Sequence, residues 1–217
     1  MDGLLIDSER HMWTPCMQRA CNNQSKYMTD EFHNSIMGLD IFKAKERLHQ
    51  EFGEDFDTER FYNEVKQYNA ERNETIVIPL MKGAKELLDY CKDNGIKMAI
   101  GTSTEHNAAL RVLERTGILE YFDRVVGGDE VSAGKPAPDI YLKAHDAFPD
   151  IPKEETVVFE DGNVGSIAAL DGGFRLVIVP DLAVLSDYVL ENAFAVIEDL
   201  GKMIDIIKKE NERTPSV

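Results

Sequence analysis

Apolar positions along the chain keep one spacing in the first third and mix two spacings afterwards. Between Glu9 and about Ile78, Leu48, Phe52 and Phe56, and then Phe61, Val65 and Tyr68, recur three to five residues apart among charged neighbours. That spacing lays a stripe along one side of a helix, so the block is predicted to hold several amphipathic helices packed on one another. Gly38 and Gly53 interrupt the pattern and are expected to mark turns or helix ends.

From Pro79 onward helical and strand patterns alternate. Ala84, Leu87, Leu88 and Cys91 stand at i, i+3, i+4 and i+7, which predicts a helix stopped by Asn94-Gly95. Ile96 to Ile100 reads as a short buried strand that ends in Gly101-Thr102-Ser103-Thr104. Ala109, Val112, Leu113 and Thr116 describe the next helix, closed by Gly117. Phe122 to Val126 is a further strand, Asp139 to Phe148 a helix, and Thr156 to Phe159 a strand that runs into Glu160-Asp161. Gly165 to Leu170 is helical, Arg175 to Val179 is a continuous apolar run of the buried-strand kind, and Ala195 to Ile197 is a short last strand. The charged tail from Lys208 is expected to fray. Strands alternating with helices imply βαβ units, hence an α/β fold with a mostly parallel, doubly wound sheet. The division that follows is an α/β core from residues 1–8 and 79–217, with residues 9–78 inserted as an all-α cap.

Composition narrows the setting. A chain of 217 residues holds one ordinary domain, or a core with a modest insertion, and 43% hydrophobic content is enough to pack it. No apolar run reaches membrane-spanning length, and no basic stretch followed by an apolar block marks a secretory signal. The net charge of −16 counts against nucleic acid or membrane partners. The expectation is a soluble, cytoplasmic monomer. Cys16, Cys21 and Cys91 are an odd set without metal-ligand spacing, as reduced thiols would be.

Four polar clusters fall at predicted strand ends, where open α/β sheets place their ligands. They are Asp2 in Met1-Asp2-Gly3, Thr102-Ser103, Lys135 in Gly134-Lys135-Pro136, and Glu160-Asp161. Each has a plain alternative: a helix N-cap for Thr102-Ser103, a solvated turn for Lys135, turn carboxylates for the acid pair. The order acid, hydroxyl, lysine, acid pair along one sheet edge argues for a shared role. Together these residues supply what phosphoryl transfer needs, which is mainly positioning and electrostatic stabilisation. Thr102 offers a hydroxyl and Ser103 a backbone N–H to a phosphate, and Lys135 a compact positive charge. Asp161, with Glu160 beside it, can hold Mg²⁺, a hard ion bound by one or two carboxylates, waters and substrate oxygens.

The segment Asp2-Gly3-Leu4-Leu5-Ile6-Asp7-Ser8-Glu9 resembles the first motif of the haloacid-dehalogenase-like phosphatases, in the subgroup related to β-phosphoglucomutase. That motif reads Asp-x-Asp-Gly-hydrophobic-hydrophobic-x-Asp, and Asp2 matches its second aspartate. Thr102-Ser103, Gly134-Lys135-Pro136-Ala137-Pro138-Asp139 and Glu160-Asp161-Gly162-Asn163-Val164-Gly165 resemble motifs two to four, so the likeness runs from residue 2 to about 173. It implies a Rossmann-like core, a helical cap, Mg²⁺, and phosphatase chemistry through an aspartyl-phosphate on small phosphorylated metabolites such as sugar or nucleoside monophosphates. It makes Asp2 the general acid/base and, through its carbonyl, a metal ligand. It gives phosphate binding to Thr102, Ser103 and Lys135, with Lys135 also steadying the attacking carboxylate, and metal binding to Glu160 and Asp161.

Two departures qualify the likeness. The nucleophile's position, two residues before Asp2, falls ahead of Met1, and the family's central strand falls there with it. The expectations are a start assigned at an internal methionine, a sheet without its middle, and no turnover from these 217 residues. Where the mutase branch carries a basic residue after the cap glycine and a histidine in the first cap helix, this sequence has Ile41 and Met12. That favours a phosphatase; a phosphohexose mutase and a non-catalytic phosphometabolite-binding protein are the alternatives. His11 and Trp13 near the cap hinge, and His106 after the second motif, are further pocket candidates with packing or surface roles as their plain readings.

Overall fold

The computed structural model describes residues 1–37, 39, 41–73 and 75–213. A π-helical turn, Glu9–Trp13, leads from the first loop into α1 (Thr14–Asn22), α2 (Asp30–Ile36), α3 (Ile41–Phe52) and α4 (Thr58–Asn73). The predicted stripe of Leu48, Phe52, Phe56, Phe61, Val65 and Tyr68 is buried in one cluster with Cys16, Cys21, Met28 and Phe32. Within it Phe52, Phe56 and Phe61 form a run of tilted rings, with centroids 4.9 and 5.6 Å apart. Thr29 caps α2 by accepting the Phe32 N–H at 3.1 Å. Gly53 ends α3 at a φ of +96°, a conformation glycine adopts without strain. The turn expected at Gly38 lies outside the described residues.

The remainder alternates as the sequence indicates. In order it contains α5 (Ala84–Asp93), β1 (Ala99–Gly101), α6 (His106–Thr116), β2 (Arg124–Val126), α7 (Asp139–His145), β3 (Val157–Glu160), α8 (Asn163–Asp171), β4 (Arg175–Ile178), α9 (Asp187–Asn192), β5 (Ala195–Val196) and α10 (Lys202–Arg213). Strand pairings are parallel: β1 with β2, and β3 with β4 with β5. The two-residue period sorts side chains to opposite faces. Val125, Val177 and Val179 join Leu87, Leu88, Ile100 and Leu113 in one cluster, while Val126, Leu176 and Ile178 join Ile140, Ala168 and Ala169 in another. Two cores on the two faces of one layer are what a doubly wound sheet requires.

The structure departs from the sequence reading in two places. The tail from Lys208 is ordered as the second half of α10 up to Arg213. Met203 is buried, and Ile204, Ile206 and Ile207 pack on the first cluster, so an apolar stripe anchors a helix whose charges lie on its outer side. A short α9, capped by Ser186 at the Val189 N–H, has no counterpart in the sequence reading. The divided sheet, by contrast, is the one the sequence reading expects: among the described residues no strand pairing joins β1 to β3.

Phe61 lies fully buried at the centre of the helical block. Phe61→Ala should therefore lower stability to urea by about 3–5 kcal/mol through lost burial and a residual cavity. Tyr27→Ala, at a residue 71% exposed, should shift it by less than about 0.5 kcal/mol. Similar losses for the two variants would contradict this account of the packing.

Candidate active site

The loop before the helical block is folded tightly on itself. The Gly3 N–H donates to the Ile6 carbonyl and to Ser8 Oγ, both at 3.1 Å. Asp7 N–H donates to the Pro79 carbonyl and Met81 N–H to the Leu5 carbonyl, each at 2.9 Å, which ties the loop to the segment leaving the helices. Gly3 has a φ of +69°, and a Cβ there would stand 2.5 Å from Asp161 Oδ2. Only glycine lets the Asp2 loop sit directly on the acid pair that ends β3.

Asp2 and the end of β1 form one side of the site. Asp2 Oδ2 accepts from Thr104 Oγ1 at 3.0 Å and from Thr102 Oγ1 at 3.4 Å, and Thr102 Oγ1 also accepts the Thr104 N–H at 3.2 Å. Helix capping is done elsewhere: the Glu105 carboxylate accepts the N–H groups of Asn107 and Ala108 at the start of α6. Thr102 is therefore buried against Asp2 rather than used as a cap. Ser103 is exposed on the rim, its backbone packed closely on Gly128. Thr104 was given no role by the sequence reading, although the run Thr102-Ser103-Thr104 signals more than one hydroxyl.

Lys135 and the acid pair form the other side. The Lys135 ammonium donates to Glu160 Oε1 at 2.7 Å and lies 4.6 Å from the centroid of the Tyr141 ring. The Tyr141 hydroxyl donates to the same carboxylate oxygen. A Cβ at Gly165, in the first turn of α8, would overlap that carboxylate, so this helix start too depends on a glycine. Burial alone would push Glu160 upward, but Lys135, the α-amino group of Met1, and the hydrogen bonds from Lys135 and Tyr141 together hold its pKa below the usual carboxylate value. For Asp161 the Met1 α-amino group and its own backbone N–H are outweighed. Burial, and then its neighbour Glu160, push it up to about 6.

A pocket of about 200 Å³ opens beside these residues, lined by Asp2, Glu9, Met37, Asp161, Asn163 and Asp181 among others. Glu9 is pushed up to about 8 by burial and then by Asp2, Asp161, Asp181 and Asp7. Its Oε2 is buried without a hydrogen-bond partner. The sequence reading quoted Glu9 within a motif but gave it no role, because the acids that surround it are up to 172 positions away. Arg10 bridges the helical block to the loop after β4, with bonds to Asp181 of 2.6 and 3.2 Å and to Asp7 of 3.1 Å.

The other candidates lie apart from this cluster. His106 stands 2.8 Å from a Glu130 carboxylate oxygen, and His11 stands against Asp7. Trp13 packs between the helical cluster and the sheet cluster. Met12 is buried and Ile41 exposed.

Among the described residues no three His, Cys, Asp or Glu side chains form a closed metal cage. Mg²⁺ does not need one, since it keeps several waters and takes one or two carboxylates plus substrate oxygens. Glu9 Oε2 without a hydrogen-bond partner, and Asp161 raised by burial and then by Glu160, mark carboxylates left unmet at this edge, which a divalent cation relieves. The all-oxygen donors here, Asp161 foremost, fit Mg²⁺.

These shifts set a pH dependence. Glu9 moves from 4.5 to about 8 on folding, so its contribution is complete below about 4.5 and is lost as pH rises through about 8. In EDTA the melting temperature should fall as pH rises from about 4.5 to 8, and Glu9→Gln should flatten by at least half the part of that fall above about pH 6, where Asp161 has ceased to contribute. An unchanged slope in Glu9→Gln would show that this carboxyl is not the group responsible.

Comparison with known proteins agrees with the geometry. The family described as haloacid dehalogenase-like hydrolase matches residues 1–179. A phosphorylated carbohydrates phosphatase of Thermotoga maritima is 33% identical over 178 residues, covering 81% of this chain and 80% of that protein. The (DL)-glycerol-3-phosphatase 2 of Arabidopsis thaliana is 32% identical over 189 residues, covering 83% and 77%. A solved haloacid dehalogenase-like protein from Agrobacterium tumefaciens shares the fold, with a TM-score of 0.80 at 19% identity over 96% of this chain and 95% of that one. The chain belongs to the haloacid dehalogenase-like hydrolases.

Proposed function

We propose that this protein is a Mg²⁺-dependent phosphatase of small phosphorylated metabolites, sugar and nucleoside monophosphates among them. The observation that carries the reading is the meeting of Asp2, Thr102, Lys135 and Asp161 at one edge of a parallel sheet. The phosphatase names of the relatives in T. maritima and A. thaliana support it. Residues 1–8 and 79–217 are the proposed catalytic core and residues 9–78 the cap, which reaches the pocket through Glu9, Arg10 and Met37. A cytoplasmic monomer is the proposed setting; the three cysteines are free and buried, and among the described residues no helix is long and apolar enough to cross a membrane.

In this reading the Thr102 hydroxyl, the Ser103 N–H and the Lys135 ammonium hold the phosphate oxygens. A carboxylate two residues before Asp2 would enter beside Lys135, where the α-amino group of Met1 is now buried. Its attack forms an O–P bond as the ester P–O bond breaks, and protonated Asp2 gives its proton to the departing oxygen. Asp2, left as a carboxylate, then takes a proton from water as that water attacks phosphorus; the aspartyl O–P bond breaks, phosphate leaves and the attacking carboxylate is restored. Thr104 and Thr102 keep the Asp2 carboxylate aimed throughout. Mg²⁺, held by Asp161 with Glu160 and the Asp2 carbonyl, would offset charge on the phosphate. Neither Met12, buried, nor Ile41 offers a cation for a second phosphate, which favours hydrolysis over a mutase cycle.

A form of the protein with an apolar strand ending in aspartate placed before Met1 should release phosphate from an aryl phosphate and from glycerol phosphate, and lose that activity in EDTA. Asp161→Asn in it should lower kcat by about 10²–10³ and abolish the Mg²⁺-induced rise in melting temperature. Lys135→Ala should instead weaken phosphate binding and keep the Mg²⁺ response. Absence of turnover across a broad phosphomonoester panel, or a full Mg²⁺ response in Asp161→Asn, would overturn this reading.

A further inference from the structure

Two donors share one oxygen at the end of β3. The Lys135 ammonium donates to Glu160 Oε1 at 2.7 Å, and the Tyr141 hydroxyl donates to the same atom from α7. Among the described residues no other side chain donates to this buried carboxylate, and the Met1 α-amino group acts on it through charge. The two donors differ in mobility. Tyr141 is 8% exposed and its ring is wedged in place: a Cβ at Gly101 would stand 3.1 Å from its Cδ1, and Phe174 packs edge-on at 6.4 Å. Lys135 reaches the carboxylate on a flexible four-carbon stem, and its ammonium lies 4.6 Å from the centroid of the Tyr141 ring. A phenylalanine at position 141 would fill the same space without the hydroxyl. The hydrogen bond that this hydroxyl makes among the described residues goes to Glu160.

We propose that Tyr141 is a positioning residue, whose hydroxyl keeps Glu160 partnered while Lys135 carries its ammonium from that carboxylate to a phosphate. This role rests on the phosphate-binding role proposed above for Lys135. A lysine cannot give its full charge to Glu160 and to a phosphate at once. Drawing it away leaves a buried carboxylate short of a donor, which costs more than the bond itself contributed. With the Tyr141 O–H fixed on the same oxygen, Glu160 keeps one hydrogen bond whichever way Lys135 turns. The face of the Tyr141 ring gives the ammonium a second contact that does not depend on the carboxylate. One side chain thus serves both partners: its hydroxyl holds the acid, and its ring steadies the base as it moves.

Calorimetric titration with inorganic phosphate in saturating Mg²⁺ tests this on Tyr141→Phe, Lys135→Ala, Glu160→Gln and the combination of Tyr141→Phe with Glu160→Gln. Tyr141→Phe should weaken phosphate binding by about tenfold, the worth of a hydrogen bond to a charged group, and Lys135→Ala should weaken it at least as much. In Glu160→Gln no carboxylate competes for the lysine, so adding Tyr141→Phe should change the affinity by less than about twofold. A purely packing role for Tyr141 would give the same loss in both backgrounds. In the unsubstituted protein, the proton NMR signal of the Tyr141 hydroxyl should persist when phosphate binds and move downfield as Lys135 leaves Glu160. Unchanged phosphate affinity in Tyr141→Phe, an equal loss in both backgrounds, or a hydroxyl signal that phosphate leaves unmoved would overturn the role of Tyr141 alone. Undiminished phosphate binding in Lys135→Ala, or none in the unsubstituted protein, would overturn the phosphate role of Lys135 and this role with it.

Discussion

Buried negative charge is the constraint around which this molecule is arranged. Asp2, Glu9, Glu160 and Asp161 gather where β1 and β3 end, Glu160 buried and the other three half-buried, and only part of that charge is met from within the chain. Lys135 and Tyr141 both spend their polar groups on Glu160 Oε1, so one acid of the pair stays anionic while the other is driven toward protonation. A buried ion pair of this kind is weak evidence of stability, because desolvation offsets most of the attraction. Its consequence is asymmetry: two adjacent carboxylates with the same chemistry are given different protonation behaviour by what touches them.

That asymmetry depends on backbone that approaches very closely. Gly3 lets the Asp2 loop rest on Asp161, and Gly165 lets α8 begin against the Glu160 carboxylate. Arg10 then spans from the helical block to Asp181, so the helices and the loop after β4 share one electrostatic contact at the pocket mouth. Packing in the helical cluster, hydrogen bonding in the first loop and charge at the sheet edge are thus linked through a few residues between Gly3 and Arg10. A change of occupant in the pocket would be felt first in that short segment.

Much of this was legible from residue spacing. The aromatic stripe from Leu48 to Tyr68 gave the helical cluster, because a 3.6-residue period survives among charged neighbours. Asp2, Thr102, Lys135 and the acid pair could be placed at one edge because each follows a predicted strand. What escaped depends on contacts between distant parts of the chain. Tyr141 sits on a helix and looks like an ordinary core aromatic until the fold brings its hydroxyl to Glu160. Glu9 is one acid among 40 Asp and Glu until three loops surround it. The charges after Lys208 concealed a stripe of Met203, Ile204 and Ile207 that only the neighbouring cluster makes visible.

In the proposed function a divalent cation relieves the carboxylate repulsion in this pocket, and Glu9 is the carboxyl that would respond most. Carbon-13 labelling of glutamate, with the Glu9 carboxyl followed by NMR from about pH 4 to 9, measures it directly. Without metal the Glu9 carboxyl should titrate near the raised value of about 8, and saturating Mg²⁺ should lower its midpoint by at least one pH unit. A midpoint near 4.5 without metal, or one that Mg²⁺ leaves unmoved, would contradict the claim.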